Sequence, residues 1–189
     1  HEAVGIWNRV VHVRWIIVSA AVLGGIKGSL DEYHGLLLSE KGVPTAIVPL
    51  FYAGFTLMGA LVFFLLSRSH RPTNARRLIW LVGGVGLLIG SVMWLPTPFA
   101  ICALILMNFI DSLFRLDNEA LLQSSIDSDA TRATITSASS FGQQLVALVV
   151  FGASALLLKR FPFTALYLIG GAVLIATALS QWKQVRRPN

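Results

Sequence analysis

An all-α membrane protein, a bundle of six transmembrane helices, is the fold predicted by three features of the 189-residue sequence. Hydrophobic residues make up 55% of the chain and charged residues only 13%, about half the share that soluble domains carry. The mean hydropathy is +0.71. Six apolar runs reach the roughly 17 to 25 residues that a bilayer-spanning helix needs. So few charges would leave a water-soluble fold with a largely apolar surface, and lipid is therefore the expected solvent.

The helices are expected at 13–38, 44–66, 78–94, 99–115, 134–158 and 162–182. The first is the most polar. It ends at Glu40-Lys41-Gly42-Val43-Pro44, where a glycine stops one helix and a proline opens the next. Leu95-Pro96-Thr97-Pro98 separates the third from the fourth, and Lys159-Arg160-Phe161-Pro162 the fifth from the sixth. The connections at 67–77 and 116–132 are longer and polar, yet neither has room for a soluble domain. Residues 1–189 thus read as a single transmembrane domain. The chain opens on His1 without a signal-peptide pattern, which suggests a fragment or a processed chain.

The net charge of +6 does not mark a nucleic-acid-binding protein, because the charges lie between apolar runs instead of along one basic face. They report orientation. Arg9, Arg14, Arg68, Arg71, Arg76, Arg77, Arg115, Arg132, Lys183, Arg186 and Arg187 fall on one side of the six crossings, eleven against the three of Lys41, Lys159 and Arg160. The positive-inside rule then places both termini in the cytoplasm, with the cell's inner or plasma membrane as the expected location. Lys27 is the remaining cation, inside the first helix.

Ionisable groups at membrane depth are costly without a partner or water, and they mark functional positions. Lys27, Asp31 and His34 stand at i, i+4 and i+7, so one helical face carries all three, with Glu32 beside them. Lys27 is expected near mid-membrane and the two acids toward the outer half. The alternative is a Lys27–Asp31 pair that merely neutralises itself. The fourth helix offers Asn108 near the midplane, then Asp111, Ser112 and Arg115 toward the cytoplasm. Asp111–Arg115 is either part of a polar pathway or a helix-end salt bridge, and Asn108 either lines a cavity or binds a neighbouring helix.

The fifth helix begins with small and hydroxyl residues from Thr134 to Gly142, followed by Gln143 and Gln144 near mid-membrane. The glutamines suit either substrate contact or interhelical hydrogen bonds. Gly24, Gly25 and Gly28, like Gly83, Gly84, Gly86 and Gly90, favour close helix packing. The single cysteine, Cys102, allows no intrachain disulfide and reads as a packing residue. Tyr33, Trp80, Trp94 and Trp182 fall toward helix ends, where amphipathic rings favour the membrane interface.

Together these residues resemble the carboxy-terminal six-helix half of a major facilitator superfamily transporter, of a drug-efflux-like kind. Asp31-Glu32-Tyr33-His34-Gly35-Leu36-Leu37-Leu38 followed by Gly42 resembles the exit of that half's first helix. Gln123-Ser124-Ser125-Ile126 through Asp129, then Arg132-Ala133-Thr134 and Ser137, resembles the entry to its penultimate helix. Arg68-Ser69-His70-Arg71 through Arg76-Arg77 stands where the family has its second basic gating loop, without that loop's Gly and Asp.

The resemblance implies half of a twelve-helix fold, with substrate at the midplane and alternating access by rocking. It further implies cavity residues on the first, fourth and fifth helices and packing roles for the third and sixth. Lys27, Asp31, Glu32, His34, Asn108, Asp111, Gln143 and Gln144 become candidates for the substrate or proton pathway, and Arg68, Arg76, Arg77, Arg115 and Arg132 for cytoplasmic gating.

The expected activity is secondary transport of a small, largely hydrophobic molecule, in the form of proton-coupled efflux by an antiporter. Asp31 or Glu32 would exchange the proton, because desolvation favours the neutral carboxyl, while Lys27 would favour the ionised form or contact an anionic substrate. A sugar- or metabolite-type symporter or uniporter is the nearest alternative, and a non-transporting scaffold or partner subunit the alternative from another class. Expected partners are the lipid bilayer, the transported molecule, and an amino-terminal six-helix half in the same chain or a second subunit. No nucleotide-binding Gly-rich loop, catalytic Ser-His spacing or His-x-x-x-His metal pair appears, so neither an enzyme nor a cofactor or metal is expected.

Overall fold

A computed structural model describes the backbone of residues 2–66, 74–124 and 129–185 and the side chains of 15–66, 74–124 and 136–183. Among the described residues the secondary structure is entirely helical: α1 (Glu2–Asp31), α2 (His34–Glu40), α3 (Val48–Leu66), α4 (Ala75–Ser91), α5 (Thr97–Ser124), α6 (Asp129–Leu157) and α7 (Phe163–Val185). Among the described residues four helices are long and apolar enough to cross a bilayer, at Val48–Leu66, Thr97–Ser124, Thr136–Leu157 and Phe163–Lys183. The fold is that of a multi-pass membrane helical bundle.

The expected first helix is two. α1 starts at Glu2 and stops at Asp31, and after the turn residues Glu32 and Tyr33 the chain resumes as α2. Sequence periodicity missed the interruption because no proline or glycine marks it. The second helix starts at Val48, after a turn at 45–47 that Pro44 precedes, instead of at 44. α5 runs on to Ser124, past the expected end at 115, because Asp117, Asn118 and Leu122 are buried against the bundle. α6 likewise starts earlier, at Asp129.

Local chemistry explains the sharp ends. Gly42, at φ +80°, lets α2 close with Val43 N–H donating to Leu38 O at 2.9 Å and Gly42 N–H to Ser39 O at 3.0 Å, the paired bonds of a Schellman cap. Lys41 then reaches the far end of α4, its Nζ donating to the carbonyls of Met93 at 2.9 Å and Leu95 at 2.6 Å. A cation there complements the partial negative charge of a helix C-terminus. Asn74 caps α4 by accepting Arg77 N–H at 2.8 Å.

The helices pack chiefly as two close pairs, α4 with α7 and α1 with α6, which meet where α1 lies against α7 and α5; α5 also lies against α4 and α3. Glycines set both pairs. A Cβ on Gly171 would stand 2.6 Å from Gly86 O and 2.7 Å from Gly90 N, and one on Gly25 would stand 2.5 Å from the Val146 side chain. Only a missing side chain allows backbones so near each other. The core lies among α1, α2, α4, α5 and α7, with Leu23, Leu30, Val82, Leu104, Met107 and Leu174 fully enclosed. By contrast α3 and α6 bury little and expose large apolar side chains such as Leu57, Phe64, Phe141 and Leu148.

Candidate functional site

The deepest charge in the bundle is Lys27, 2% exposed. Its Nζ donates to Asp31 Oδ2 at 2.6 Å, one helical turn on, and lies 3.5 Å from Asp111 Oδ2 across the α1–α5 contact. Asp111, 3% exposed, also accepts Arg115 Nε at 3.0 Å. Arg115, Asp111, Lys27 and Asp31 therefore form one chain of alternating charge linking two helices. The Phe55 ring of α3 lies 5.0 Å from the ammonium and faces a cation favourably. Alternation is what makes the burial of Lys27 and Asp111 tolerable: each has an opposite neighbour, and removing one partner strands the other.

This geometry changes one reading of the sequence. Asp111–Arg115 is not an isolated pair at a helix end, because Asp111 is buried and shared with Lys27 at the level where α1 carries its own charge. Lys27–Asp31 is the pair its spacing suggested, with the ammonium also 3.5 Å from a second carboxylate, Asp111, on another helix.

At the end of α1 the chain of charge meets a second group of buried polar atoms. His34 is fully buried, and neither ring nitrogen has a hydrogen-bond partner among the described residues. Its Nδ1 is 3.6 Å from Asp31 Oδ1, outside hydrogen-bonding distance, and its ring is 6.3 Å from that of Tyr167 on α7. The Tyr167 hydroxyl is also buried with no hydrogen-bond partner among the described residues. The interruption between α1 and α2 is held from α3, where the Tyr52 hydroxyl donates to Asp31 O at 2.9 Å and accepts Gly35 N–H at 3.0 Å. Tyr52, Phe55 and Tyr167 were not singled out in the sequence; their positions in otherwise apolar helices carried no signal that told them from packing aromatics.

A cavity of about 380 Å³ adjoins the chain of charge. α5 contributes one face, from Asp111 and Arg115 through Asn118 and Glu119 to Gln123, and α6 contributes Thr136, Ser139, Ser140 and Gln143. Ala20 and Gly24 of α1, Phe63 of α3, and Phe114 and Leu122 of α5 complete the wall. Gln143 reaches it because Gly24 leaves room: a Cβ there would stand 2.7 Å from Gln143 Oε1.

Other candidates are placed elsewhere. Glu32 is exposed on the turn and Gln144 is exposed on α6, so neither joins the cluster. Asn108 is mostly spent on packing, with Nδ2 donating to Phe55 O at 2.7 Å, as in the helix-binding alternative. Arg77 Nε pairs with Asp117 Oδ2 at 2.8 Å and ties α4 to α5. Arg76 is exposed at the start of α4. The side chains of Arg68 and Arg132 lie outside the described residues. In comparisons with known proteins, no family model, curated protein or solved structure matches the chain.

Proposed function

We propose that this chain is one six-crossing lobe of a secondary transporter that moves a small molecule by alternating access, coupled to protons and working in efflux. The single observation that carries the proposal is the run Arg115–Asp111–Lys27–Asp31, buried at Asp111 and Lys27, beside a cavity of mixed polar and apolar lining. Apolar helices keep charges at such depth for a purpose, since they would pack more stably without them. Two carboxylates sharing one ammonium form an arrangement in which a proton can be exchanged for an ion pair: when one carboxyl is protonated, Lys27 still has the other as its partner.

In this mechanism Asp31 or Asp111 takes up a proton as water reaches the cavity and releases it on the other face. Asp31 is preferred to Glu32, which is exposed and outside the cluster. The six crossings comprise α1 with α2 as a single interrupted span, then α3 to α7, with both termini cytoplasmic on the distribution of Lys and Arg. A second lobe, in the same polypeptide or another subunit, would cover the apolar faces of α3 and α6. No cofactor is needed, because the proton gradient supplies the work.

Proton-driven flux in proteoliposomes, screened across radiolabelled solutes, tests the proposal. Asp31→Asn and Asp111→Asn should each uncouple flux from the pH gradient. Unchanged proton-driven transport in both variants would overturn the assignment.

A further inference from the structure

We propose that the surface where the start of α4 meets the end of α7 binds an anionic phospholipid, through Trp80, Trp182, Arg76 and Lys183. The inference needs only that the bundle lies in a membrane and does not depend on what the chain transports. α4 and α7 form one of the two close helix pairs and run antiparallel. A Cβ on Gly86 would meet Gly171 O at 3.0 Å, and one on Gly83 would meet Ala178 at 3.6 Å. That register brings the Trp80 and Trp182 rings together edge to face, with centroids 5.6 Å apart.

Trp80 is nonetheless 70% exposed. An indole, apolar in its body with one N–H donor, favours the depth where acyl chains meet headgroups. Leu87, two turns on along the same face of α4, and Leu179, one turn before Trp182 on α7, are exposed as well. Gly83 and Gly84 put no side chain between Trp80 and Leu87. The outer face of the pair is therefore an apolar strip with an indole at its head, suited to an acyl chain.

Charge then selects the headgroup. Arg76 lies one turn, about 6 Å, beyond Trp80 toward the helix end, and Lys183 follows Trp182 on α7. Both cations are exposed, and neither forms an ion pair among the described residues. The acids of this end do not neutralise them. Asp117 is held by Arg77, Asp111 lies between Lys27 and Arg115, and Glu119 lines the α5–α6 cleft. With Glu2, Asp127 and Asp129 they make six acids against the eleven bases that share this side of the sequence. Segments 67–73 and 184–189, which adjoin the two helix ends in the chain, hold Arg68, Arg71, Arg186 and Arg187 and no acid.

A zwitterionic lipid would bring its own cation against Arg76 and Lys183, and a free anion would leave the apolar strip uncovered. A lipid whose headgroup is negative overall meets the cations while its chain covers the strip. Each basic group close to an anionic lipid surface contributes about fivefold in affinity, so two groups give a preference of about tenfold or more.

Tryptophan quenching by brominated phospholipids tests the site. The purified full chain is placed in phosphatidylcholine nanodiscs carrying brominated phosphatidylglycerol or brominated phosphatidylcholine. The quenching lost on Trp80→Phe isolates the signal of this surface. Brominated phosphatidylglycerol should reach it about tenfold more effectively. Arg76→Gln combined with Lys183→Gln should erase that preference, whereas Arg76→Lys should keep it. Lys159→Gln combined with Arg160→Gln removes two exposed charges from the opposite end and should leave the preference intact. Excess inorganic phosphate at matched ionic strength should not displace the lipid.

Equal quenching by the two lipids, a preference that survives the loss of Arg76 and Lys183, or an equal fall in both double variants would overturn the proposal. Displacement by phosphate would overturn it too, by marking a site for a free anion. The transport reading fails separately, on the flux of the Asp31→Asn and Asp111→Asn variants.

Discussion

The hydroxyl of Tyr52 occupies the place of a backbone hydrogen bond between Asp31 and Gly35. In an uninterrupted helix the Gly35 N–H would donate to the Asp31 carbonyl four residues earlier. Here it donates to Tyr52 at 3.0 Å, and Tyr52 donates onward to Asp31 O at 2.9 Å. Insertion of a side chain into the helical ladder is a recognised cause of a break. It keeps both backbone groups satisfied where water is scarce. The interruption falls beside the carboxylate that shares Lys27, so α3 controls the backbone at the site of charge.

Tyr52→Phe should therefore act at the break. Two hydrogen bonds are lost together, and a destabilisation of about 1–3 kcal/mol is expected from their typical net worth. Amide exchange at Gly35, followed by mass spectrometry in detergent, should accelerate by about tenfold or more, while exchange within α4 and α7 stays unchanged. Unaltered exchange at Gly35 would show that the hydroxyl does not hold the break.

Lys27→Met removes the cation that two carboxylates share. Leaving partners of a buried pair uncompensated typically costs about 3–5 kcal/mol, and unfolding in mixed micelles should show a loss of that order. Adding Asp31→Asn should recover much of it, because Asp111 still has Arg115 at 3.0 Å. Additive losses in the double variant would mean the two residues are not coupled.

Glycines in the two close helix pairs should differ from a glycine in open space. Gly171→Ala places a Cβ against backbone atoms of Gly86 and Gly90, and overpacking of this kind costs about 1–3 kcal/mol. Gly28→Ala meets nothing within 4 Å, and should be neutral or stabilising by about 0.5–1 kcal/mol through helix propensity. Thermal unfolding of the two variants in one detergent compares them directly.

Asn108→Ala tests a side chain that packs helices together without reaching the cavity. Losing its bond to Phe55 O should cost on the order of 1 kcal/mol, in the range seen for interhelical bonds in membranes. Unfolding in mixed micelles measures it, and unchanged stability would show that this bond does not hold α5 to α3.

The sequence by itself determined the solvent and much of the helical plan. Long apolar runs and scarce charge require lipid, and Gly42 stops α2 because its positive φ suits a glycine. The i, i+4 spacing of Lys27 and Asp31 was enough to pair them, since helical neighbours meet whatever the rest of the fold does. Tertiary structure alone decided what crosses between helices. Asp111 looked like a helix-end acid until α5 was packed beside α1, and Asn118 and Glu119 looked like loop residues until α5 was seen to continue past Arg115. The α1–α2 break was hidden for the same reason: its cause, Tyr52, lies on another helix. Periodicity along a chain records which residues share a face, but only packing determines what that face meets.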